Sequence, residues 1–236
     1  MNRIISCFIL LLGLLFIFPS TAFAFQSNLK TSEISQKNQD KIWNNLDLHI
    51  STEKPEKKPI PDWFAVSENG WIAISSLGDP NAISVYNQNG EFQCIIYIDT
   101  NTDVKLDWKK NNLVLIFGIT TIMVEIDLQG KLIDMVYLLT NDDETDQYYY
   151  EYLTRETQVV NGVTYRLQNS SKILDRMLFV DKNQLVKINP DGEEIILYDA
   201  TIEQKSFFYI KVVIIITILG VCAITFIPKL IKLCKS

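Results

Sequence analysis

The hydrophobic pattern of this chain divides it into two apolar ends and a long middle made of short apolar runs. From Phe207 to Ile227 the only charged residue is Lys211. A helix of about 20 apolar residues is long enough to cross a bilayer core, so we predict a transmembrane helix over 207–228. The lysines of the last segment, 229–236, place this basic tail in the cytoplasm by the positive-inside rule.

The apolar N-terminal end has the pattern of a secretory signal peptide over 1–24. Arg3 precedes an apolar run, and the small residues Ala22 and Ala24 form a cleavage site before Phe25. An uncleaved signal anchor is the alternative. Both alternatives leave the middle of the chain outside, which predicts a single-pass protein of the cell membrane with an extracytoplasmic N-terminal domain.

The polar segment 25–60 precedes the first strand-like run and predicts a linker. Residues 53–59 are mostly charged and contain two prolines, a composition that cannot bury a core. Apolar residues that include Ile42 and Trp43 would share one side of a short helix between Ser32 and Leu48. A mostly disordered arm is the alternative.

Beyond Pro61 the chain consists of short runs of β-branched, aromatic and aliphatic residues separated by Asn, Asp and Gly. This pattern predicts strands and tight turns over 61–199. The runs on either side of Asn69-Gly70 predict a hairpin with a type I′ turn, because that turn needs two residues that tolerate a positive φ. A short spacer over 200–206 then joins this all-β domain to the predicted membrane segment.

One sequence phrase recurs three times in this domain. A strand, a polar turn that ends in glycine and an apolar strand recur around Asn87–Gly90, Asp127–Gly130 and Asn189–Gly192, and further strands, one of them over Met177–Val180, complete each group. The first two turns are about 40 residues apart, the length of a four-stranded propeller blade. The longer third step contains an acidic, tyrosine-rich insertion over Thr140–Tyr152. The pattern predicts an all-β ectodomain of about twelve antiparallel strands in three blade-like repeats.

Three repeats are fewer than the four to eight blades of closed propellers. One possibility is an open set of blades that pairs its edges with a partner or with a second copy of the chain. The other is a different arrangement of the same strands, a β-sandwich or a curved meander. The period alone does not choose between them.

Three phrases carry a resemblance to known proteins: residues 66–74, 83–92 and 185–198 resemble the repeats of propeller-type surface proteins. The whole chain is similar to membrane-anchored, propeller-repeat-like surface proteins of low-GC Gram-positive bacteria, a group with no assigned activity. The resemblance covers about 61–199 and rests on structural turns. It implies an architecture and no catalytic residues.

Composition narrows the class of partner. All 28 acidic residues and 17 of the basic residues lie between Phe25 and Lys205, which gives this part a net charge of 17 minus 28, or −11. Such a domain should repel nucleic acid, so we expect no nucleic-acid partner. Only Cys94 of the four cysteines lies in the domain, so no internal disulfide is possible there, and the pattern fits a bacterial surface.

The insertion holds the candidate contact residues. Its tyrosines offer contact area for a protein or a glycan, although a strand with half-buried alternate tyrosines explains them equally well. Its carboxylates would bind a divalent cation weakly, but a solvated acidic loop is the more ordinary explanation. The candidate partner or ligand contacts are therefore Tyr148, Tyr149, Tyr150, Tyr152, Asp142, Asp143 and Asp146.

Other chemical sites are not predicted. The segment Asp99–Asp103 opens like a calcium loop, but Val104 and Lys110 stand where the EF-hand pattern needs glycine and glutamate. The single histidine, His49, has no nearby cysteine or second histidine with which to share a metal. We expect no metal, no cofactor and no catalytic constellation, and so no enzyme.

The expected function follows from the placement of the domain. A short spacer holds it close to the bilayer, which suits lateral contact with a membrane protein or self-association. We expect a membrane-anchored extracytoplasmic interaction module, an accessory or sensory subunit of a membrane complex. The alternative is a cell-surface protein that binds a glycan or a peptide.

Overall fold

The structure, a computed structural model, describes eight stretches of the chain, and all of its strands pair antiparallel in three sheets. The prediction of an all-β domain of antiparallel strands is therefore confirmed. The predicted signal peptide, the strand over Met177–Val180, the basic tail and much of the membrane segment lie outside the described residues. The described residues are 29–76, 80–100, 102–118, 120–139, 143–170, 182–206, 208–210 and 212–218.

The described elements, with a C-terminal helix that begins at residue 201, follow one another along the chain in a simple order. They are β1 (Thr31–Glu33), α1 (Gln36–Asn45), β2 (His49–Ser51), β3 (Trp63–Val66), β4 (Ile72–Ser76), β5 (Asn81–Tyr86), β6 (Phe92–Ile98), β7 (Val104–Lys109), β8 (Asn112–Phe117), β9 (Ile122–Ile126), β10 (Leu132–Leu138), α2 (Asp143–Gln147), a π-helical turn (Tyr148–Tyr152), β11 (Thr157–Val160), β12 (Val163–Gln168), β13 (Gln184–Ile188), β14 (Glu194–Asp199) and α3, helical at 201–206, 208–210 and 212–218.

Each predicted repeat forms one sheet. The first sheet has the strand order β2-β6-β5-β4-β3, the second has the order β1-β10-β9-β8-β7, and the third has the order β11-β12-β13-β14. Within each repeat the four strands form a meander of hydrogen-bonded neighbours, as strands joined by short turns do. The repeat seen in the sequence is thus a repeat of structure.

The three glycine turns have the same hydrogen bonds, which explains why the phrase recurs. The amide of Gly90 donates to the carbonyl of Asn87 at 2.9 Å, and the pairs Gly130 to Asp127 and Gly192 to Asn189 have distances of 3.0 and 2.9 Å. The three glycines have φ values of +78°, +80° and +88°, in the region that residues with a Cβ rarely adopt. Each turn therefore needs its glycine.

The predicted type I′ turn at Asn69-Gly70 is wrong. Only Gly70 of the two has a positive φ, +78°, and its amide donates to the carbonyl of Ser67 at 2.9 Å. The amide of Ser67 donates to the carbonyl of Trp71, so the turn is one residue longer than predicted and resembles the other glycine turns. The type I′ geometry occurs at Asn161-Gly162, where both φ values are positive, +51° and +77°.

The first sheet lies between the other two and is covered on both faces. One face, with Ala65, Ile83 and Ile96, packs against the second sheet in the largest apolar cluster. The opposite face, with Phe64 and Ile72, packs against the third sheet. Because both faces are covered, all residues of β4 and β5 are buried, unlike the alternating burial of a sheet with one wet face.

The structure differs from the predicted linker over 25–60, because its described part is folded in several places. Strand β1 pairs with β10 and β2 pairs with β6, so the segment covers the outer edges of two sheets. Helix α1 lies inside the interval where a short helix was considered, and Ile42 and Trp43 pack against the apolar cluster between these sheets. The two strands are three residues long, too short to leave a recognisable alternation in the sequence.

The predicted spacer over 200–206 is a helical turn that is attached to the domain. The buried Asn183 donates through Nδ2 to Oε1 of the buried Gln204 at 2.7 Å, and the amide of Lys58 donates to Glu203 at 3.1 Å. In the part of the chain that the structure describes, no helix is long and apolar enough to span a bilayer. The transmembrane helix over 207–228 stays a prediction.

Candidate ligand cavity at the turn face

The first and third turns of each repeat lie at one end of the molecule, which we name the turn face. It consists of the turns at 67–71, 87–91, 110–111, 127–131, 161–162 and 189–193. Because strands of a meander alternate in direction, every second connection falls at the same end of a sheet. The connections between repeats and the start of α3 therefore lie at the opposite end.

Side-chain contacts confirm that the turns of different sheets meet. Asn69 of the first sheet donates through Nδ2 to Oδ1 of Asn111 of the second sheet at 2.9 Å. Asn161 of the third sheet donates through Nδ2 to the carbonyl of Glu68 at 2.7 Å. The turn face is thus one continuous surface built from all three sheets.

A cavity of about 1050 Å³ opens among these turns. Its lining is rich in side-chain amides and aromatic rings and contains one carboxylate, Glu68, and one amine, Lys187. The amides belong to Asn69, Asn87, Gln88, Asn89, Asn111 and Asn161, and the rings belong to Trp71, Trp108 and Tyr165.

The floor of the cavity is held by contacts between the first strands of the three repeats. Trp108 of β7 donates through its indole nitrogen to the carbonyl of Ala65 in β3 at 3.1 Å. Gln158 of β11 accepts from the amide of Val66 at 2.9 Å and donates to the carbonyl of Phe64 at 2.8 Å. Gln158 of the third sheet thus satisfies two backbone groups at the edge of β3, and Trp108 ties the second sheet to the same strand.

The wall of the cavity depends on Gly70. A Cβ atom at this position would lie 3.1 Å from the Cβ of Gln88 and 3.9 Å from the hydroxyl of Tyr165, so glycine lets the turns approach. Burial raises the pKa of Tyr165 above that of an exposed tyrosine. The backbone amide of Trp71 donates to the hydroxyl of Ser67 at 2.9 Å and fixes the start of β4.

The exposed part of the rim offers hydrogen-bonding groups that the fold does not use. The side chains of Gln88 and Asn89 are exposed and make no hydrogen bond to another described residue. Each amide carries two donors and an acceptor with two lone pairs. The half-buried Trp71 adds an apolar surface beside them. This combination suits the binding of a polar, uncharged ligand.

The tyrosines of the insertion lie elsewhere, on the outer face of the second sheet. Tyr148 and Tyr149 are buried there with Val114 and Ile116, and they therefore belong to the core. Tyr152 is half-buried and stacks on Tyr148 with ring centroids 5.2 Å apart. Tyr150 has the exposed ring of the four, with 66% of its surface accessible.

The acidic candidates do not gather into a site in the described structure. Asp142 lies outside the described residues, and Asp143 and Asp146 lie in the short helix α2, exposed and partly exposed respectively. Within the described ranges no three His, Cys, Asp or Glu side chains come together as metal ligands would.

A buried charged network attaches the insertion to the second sheet. Tyr148 donates its hydroxyl to Oδ2 of Asp107 at 2.6 Å, and the amide of Trp108 donates to Oδ1 at 2.9 Å. The guanidinium of Arg155 lies 3.2 Å from the centroid of the Tyr152 ring. Burial, which outweighs these favourable contacts, raises the pKa of Asp107 to about 6.

Lys105, which lies two residues before Asp107 on the same face of β7, attaches the insertion to the second sheet at a second point. The buried Lys105 pairs with Asp103 at 2.6 Å, and its amine lies 4.7 Å from the Trp63 ring and 4.9 Å from the Tyr149 ring. Asp103, the last residue of the calcium-like segment, is thus engaged by a lysine. The insertion covers the face of the second sheet that no other sheet covers.

Sequence analysis missed the cavity because its residues were explained by turn chemistry alone. Asn and Gly are expected wherever a hairpin turns, so Asn69, Asn89 and Asn161 carried no separate signal. The available signal was positional, since amides recur at equivalent turns of different repeats and must meet at one end of the sheets.

Comparison with known proteins gives no family for this chain. No family model matches it, and no curated protein matches it. Among solved structures it is similar to one titled "Streptogramin B lyase structure", with a TM-score of 0.27 and 15% identity. The similarity covers 65% of this chain and 45% of that one, and at this level it carries no argument about fold or function.

Proposed function

We propose that this chain is a non-catalytic recognition protein of the cell surface that binds a polar ligand in the turn-face cavity. The observation that carries the proposal is the lining, in which six amides and three aromatic rings from all three sheets converge on about 1050 Å³. Concave sites lined by rings and a few convergent polar groups are the usual form of ligand pockets.

The arrangement of the sheets supports a propeller-like interpretation of the fold. The strands nearest the shared floor are β3, β7 and β11, the first strand of each repeat, and the sheets extend outward from them. A propeller has the same order, with the first strand of each blade nearest the axis. We interpret the domain as three neighbouring blades of an incomplete propeller, with the insertion on the free face of the second.

The lining favours binding over chemistry. Glu68 is the single carboxylate among the residues that line the cavity, and its side chain is exposed. A general acid and a general base need a pair of titratable groups whose environments move their pKa values apart. Burial does raise the pKa of Asp107. This carboxyl group is covered by Tyr148 on the outer face of the second sheet, however, and does not line the cavity.

The position of the C-terminal helix supports surface exposure of the cavity. α3 leaves the third sheet at the end opposite to the turn face, and Asn183 and Gln204 join it to the domain. If the segment over 207–228 crosses the membrane, the turn face points away from the bilayer. This orientation suits a recognition subunit that works beside a membrane partner.

The proposal is tested by blocking the cavity. The full-length chain, purified in a zwitterionic detergent, is screened for binding to a peptide library and to soluble oligosaccharides. A Gln88→Trp substitution fills the rim and should weaken binding at least tenfold. Gln129→Trp is the matched control, because Gln129 is an exposed glutamine in the equivalent turn of the second sheet and does not line the cavity.

The outcome that contradicts the proposal is equally concrete. If neither library contains a ligand, or if Gln88→Trp and Gln129→Trp bind it equally well, the turn-face cavity is not a recognition site.

A further inference from the structure

We infer that the ligand of the turn-face cavity is an uncharged oligosaccharide, an inference that rests on the recognition function proposed above. Three properties of the cavity lead to it: the amide chemistry of the rim, the balance of charge in the lining, and the hydrogen bonds of Gln158 to the edge of β3.

The amides match the chemistry of sugar hydroxyls. A hydroxyl group both donates and accepts hydrogen bonds, and so does a side-chain amide. Gln88 and Asn89 extend from one turn, while Asn69, Asn111 and Asn161 extend from the turns that face it. A ligand with hydroxyls around its whole edge can bond to several of these turns at once.

The charge of the lining differs from that of the domain. The described lining contains one negative residue, Glu68, and one positive residue, Lys187, so that its formal charge is zero, whereas the segment from Phe25 to Lys205 has a net charge of −11. A cationic ligand would bind more favourably to the acidic surface outside the cavity. An anionic ligand would be repelled by the net negative charge of the domain. The cavity thus favours a neutral ligand.

A peptide in extended conformation would compete with Gln158 for the edge of β3 at the floor. Strand addition needs unpaired backbone groups at a sheet edge. On the edge of β3, the carbonyl of Phe64 and the amide of Val66 are already bonded to Gln158. A glycan needs no such edge, because it binds through side chains.

Trp71 supplies the apolar contact. It is half-buried at the cavity wall, and its neighbour Gly70 leaves the wall open. A pyranose ring presents C–H groups on one face and hydroxyls around its edge, so it can lie on the indole while its hydroxyls reach the amides. The volume of about 1050 Å³ lies just above the range of about 300–1,000 Å³ for small-molecule sites, which favours several sugar rings over one.

The test uses cellotetraose, maltotetraose and chitotetraose as neutral probes and tetragalacturonate as the anionic probe. Binding to the full-length chain is measured by calorimetry and by tryptophan fluorescence, in a detergent without a sugar headgroup, because a maltoside would compete. At least one neutral tetrasaccharide should bind with a Kd at or below about 1 mM, and tetragalacturonate should bind at least tenfold more weakly.

Variants locate the binding. Trp71→Ala should weaken binding at least tenfold, and Trp71→Phe should restore part of it. Because Trp71 also packs against the core, Gln88→Ala provides a second test without a packing loss, with Gln129→Ala as its control. Gln88→Ala should weaken binding about three- to tenfold, as loss of one hydrogen bond does, and Gln129→Ala should leave it unchanged.

Failure of this inference is distinguishable from failure of the recognition function. If a peptide binds, if Gln88→Trp abolishes that binding, and if no neutral glycan binds, the glycan inference is overturned and the cavity remains the recognition site. Tighter binding of tetragalacturonate than of the neutral probes overturns the argument from charge. Absence of binding by every peptide and oligosaccharide overturns both proposals.

Discussion

Gly70 is a single residue on which the wall of the cavity depends. Any other residue at this position would have to adopt the positive φ of Gly70, which is unfavourable for a residue with a Cβ. Its Cβ would also lie 3.1 Å from the Cβ of Gln88. Gly192 has a similar φ, +88°, but nothing lies within 4 Å of the position of its Cβ. The pair therefore separates the cost of backbone conformation from the cost of close approach.

We predict that Gly192→Ala lowers the free energy of unfolding by about 1 kcal/mol, the cost of a left-handed residue with a Cβ. Gly70→Ala should lower it by about 2 kcal/mol or more, because the neighbouring turn must also move. Urea denaturation of both variants measures the difference. Equal losses would show that the turns at Gly70 and Gln88 do not approach closely.

Asp107 gives the domain a characteristic response to pH. Burial raises its pKa from 3.8 to about 6, so the folded chain holds this proton between about pH 4 and pH 6 while the unfolded chain releases it. Because the folded state binds the proton more tightly, rising pH favours unfolding in this window. Below pH 4 and above pH 6 the contribution is constant.

We predict that the wild-type chain loses about 3 kcal/mol more stability than Asp107→Asn between pH 4 and pH 7, since each pKa unit corresponds to about 1.4 kcal/mol. Asparagine has the same shape and keeps hydrogen-bonding capacity toward Tyr148 and Trp108. Denaturant unfolding across this pH range measures both proteins, and the other titrating groups are common to them. Parallel stability curves would contradict the buried placement of Asp107.

At this scale the sequence predicts turn positions better than turn types. The glycines of the repeated turns are identifiable because each needs a positive φ, whereas the type I′ turn predicted at Asn69-Gly70 is wrong and this geometry occurs at Asn161-Gly162. Both dipeptides are Asn-Gly, so the dipeptide alone does not distinguish a two-residue turn from a three-residue one. The burial of Tyr148 and Tyr149 likewise depends on a distant strand, β7, that local pattern does not identify.

The segment that contains β1, α1 and β2, which we name the N-terminal arm, is the part of the fold whose role is least visible in the sequence. It adds an edge strand to two sheets, and Gln39 of its helix α1 donates to the carbonyl of Met135 at 3.1 Å. An unpaired sheet edge invites association with other chains, so the arm protects β6 and β10. It also joins the two sheets across their shared apolar cluster.

We predict that Trp43→Ala lowers the free energy of unfolding by about 2 kcal/mol, because it removes a half-buried ring from the cluster between the sheets. Hydrogen exchange should increase at the amides of β6 and β10 that pair with the arm. Ile133→Ala is the control, since Ile133 is 47% exposed on β10 and should change stability by less than about 0.5 kcal/mol. Unchanged exchange in Trp43→Ala would contradict the role of the arm.

Prediction at the level of elements succeeds where a strand is long and its pattern is strong. The strands over Phe92–Ile98 and Leu132–Leu138 have the bounds that the apolar runs indicate. It fails for three-residue strands such as β1 and β2, which form because a neighbouring edge is available. The insertion was likewise not predicted to be helical, because its helical turns form by packing against the outer face of the second sheet.

The whole molecule combines a ligand cavity at one end with an attachment at the other. The meander topology fixes this polarity, since the first and third turns of each repeat lie at one end, and the connections between repeats lie at the other. The sequence predicted the repeats and hence the sheets, but the cavity forms where turns that are 42 and 93 residues apart meet. No property of one turn reveals that meeting, and only the packing of the three sheets creates it.

The measurement that tests this account most directly is hydrogen exchange of the full-length chain with and without a saturating ligand from the screen. We predict slower exchange at the turns over 67–71, 87–91 and 110–111, and unchanged exchange in the insertion around Tyr150. Protection centred on Tyr150, with none at these turns, would contradict the turn face as the recognition site.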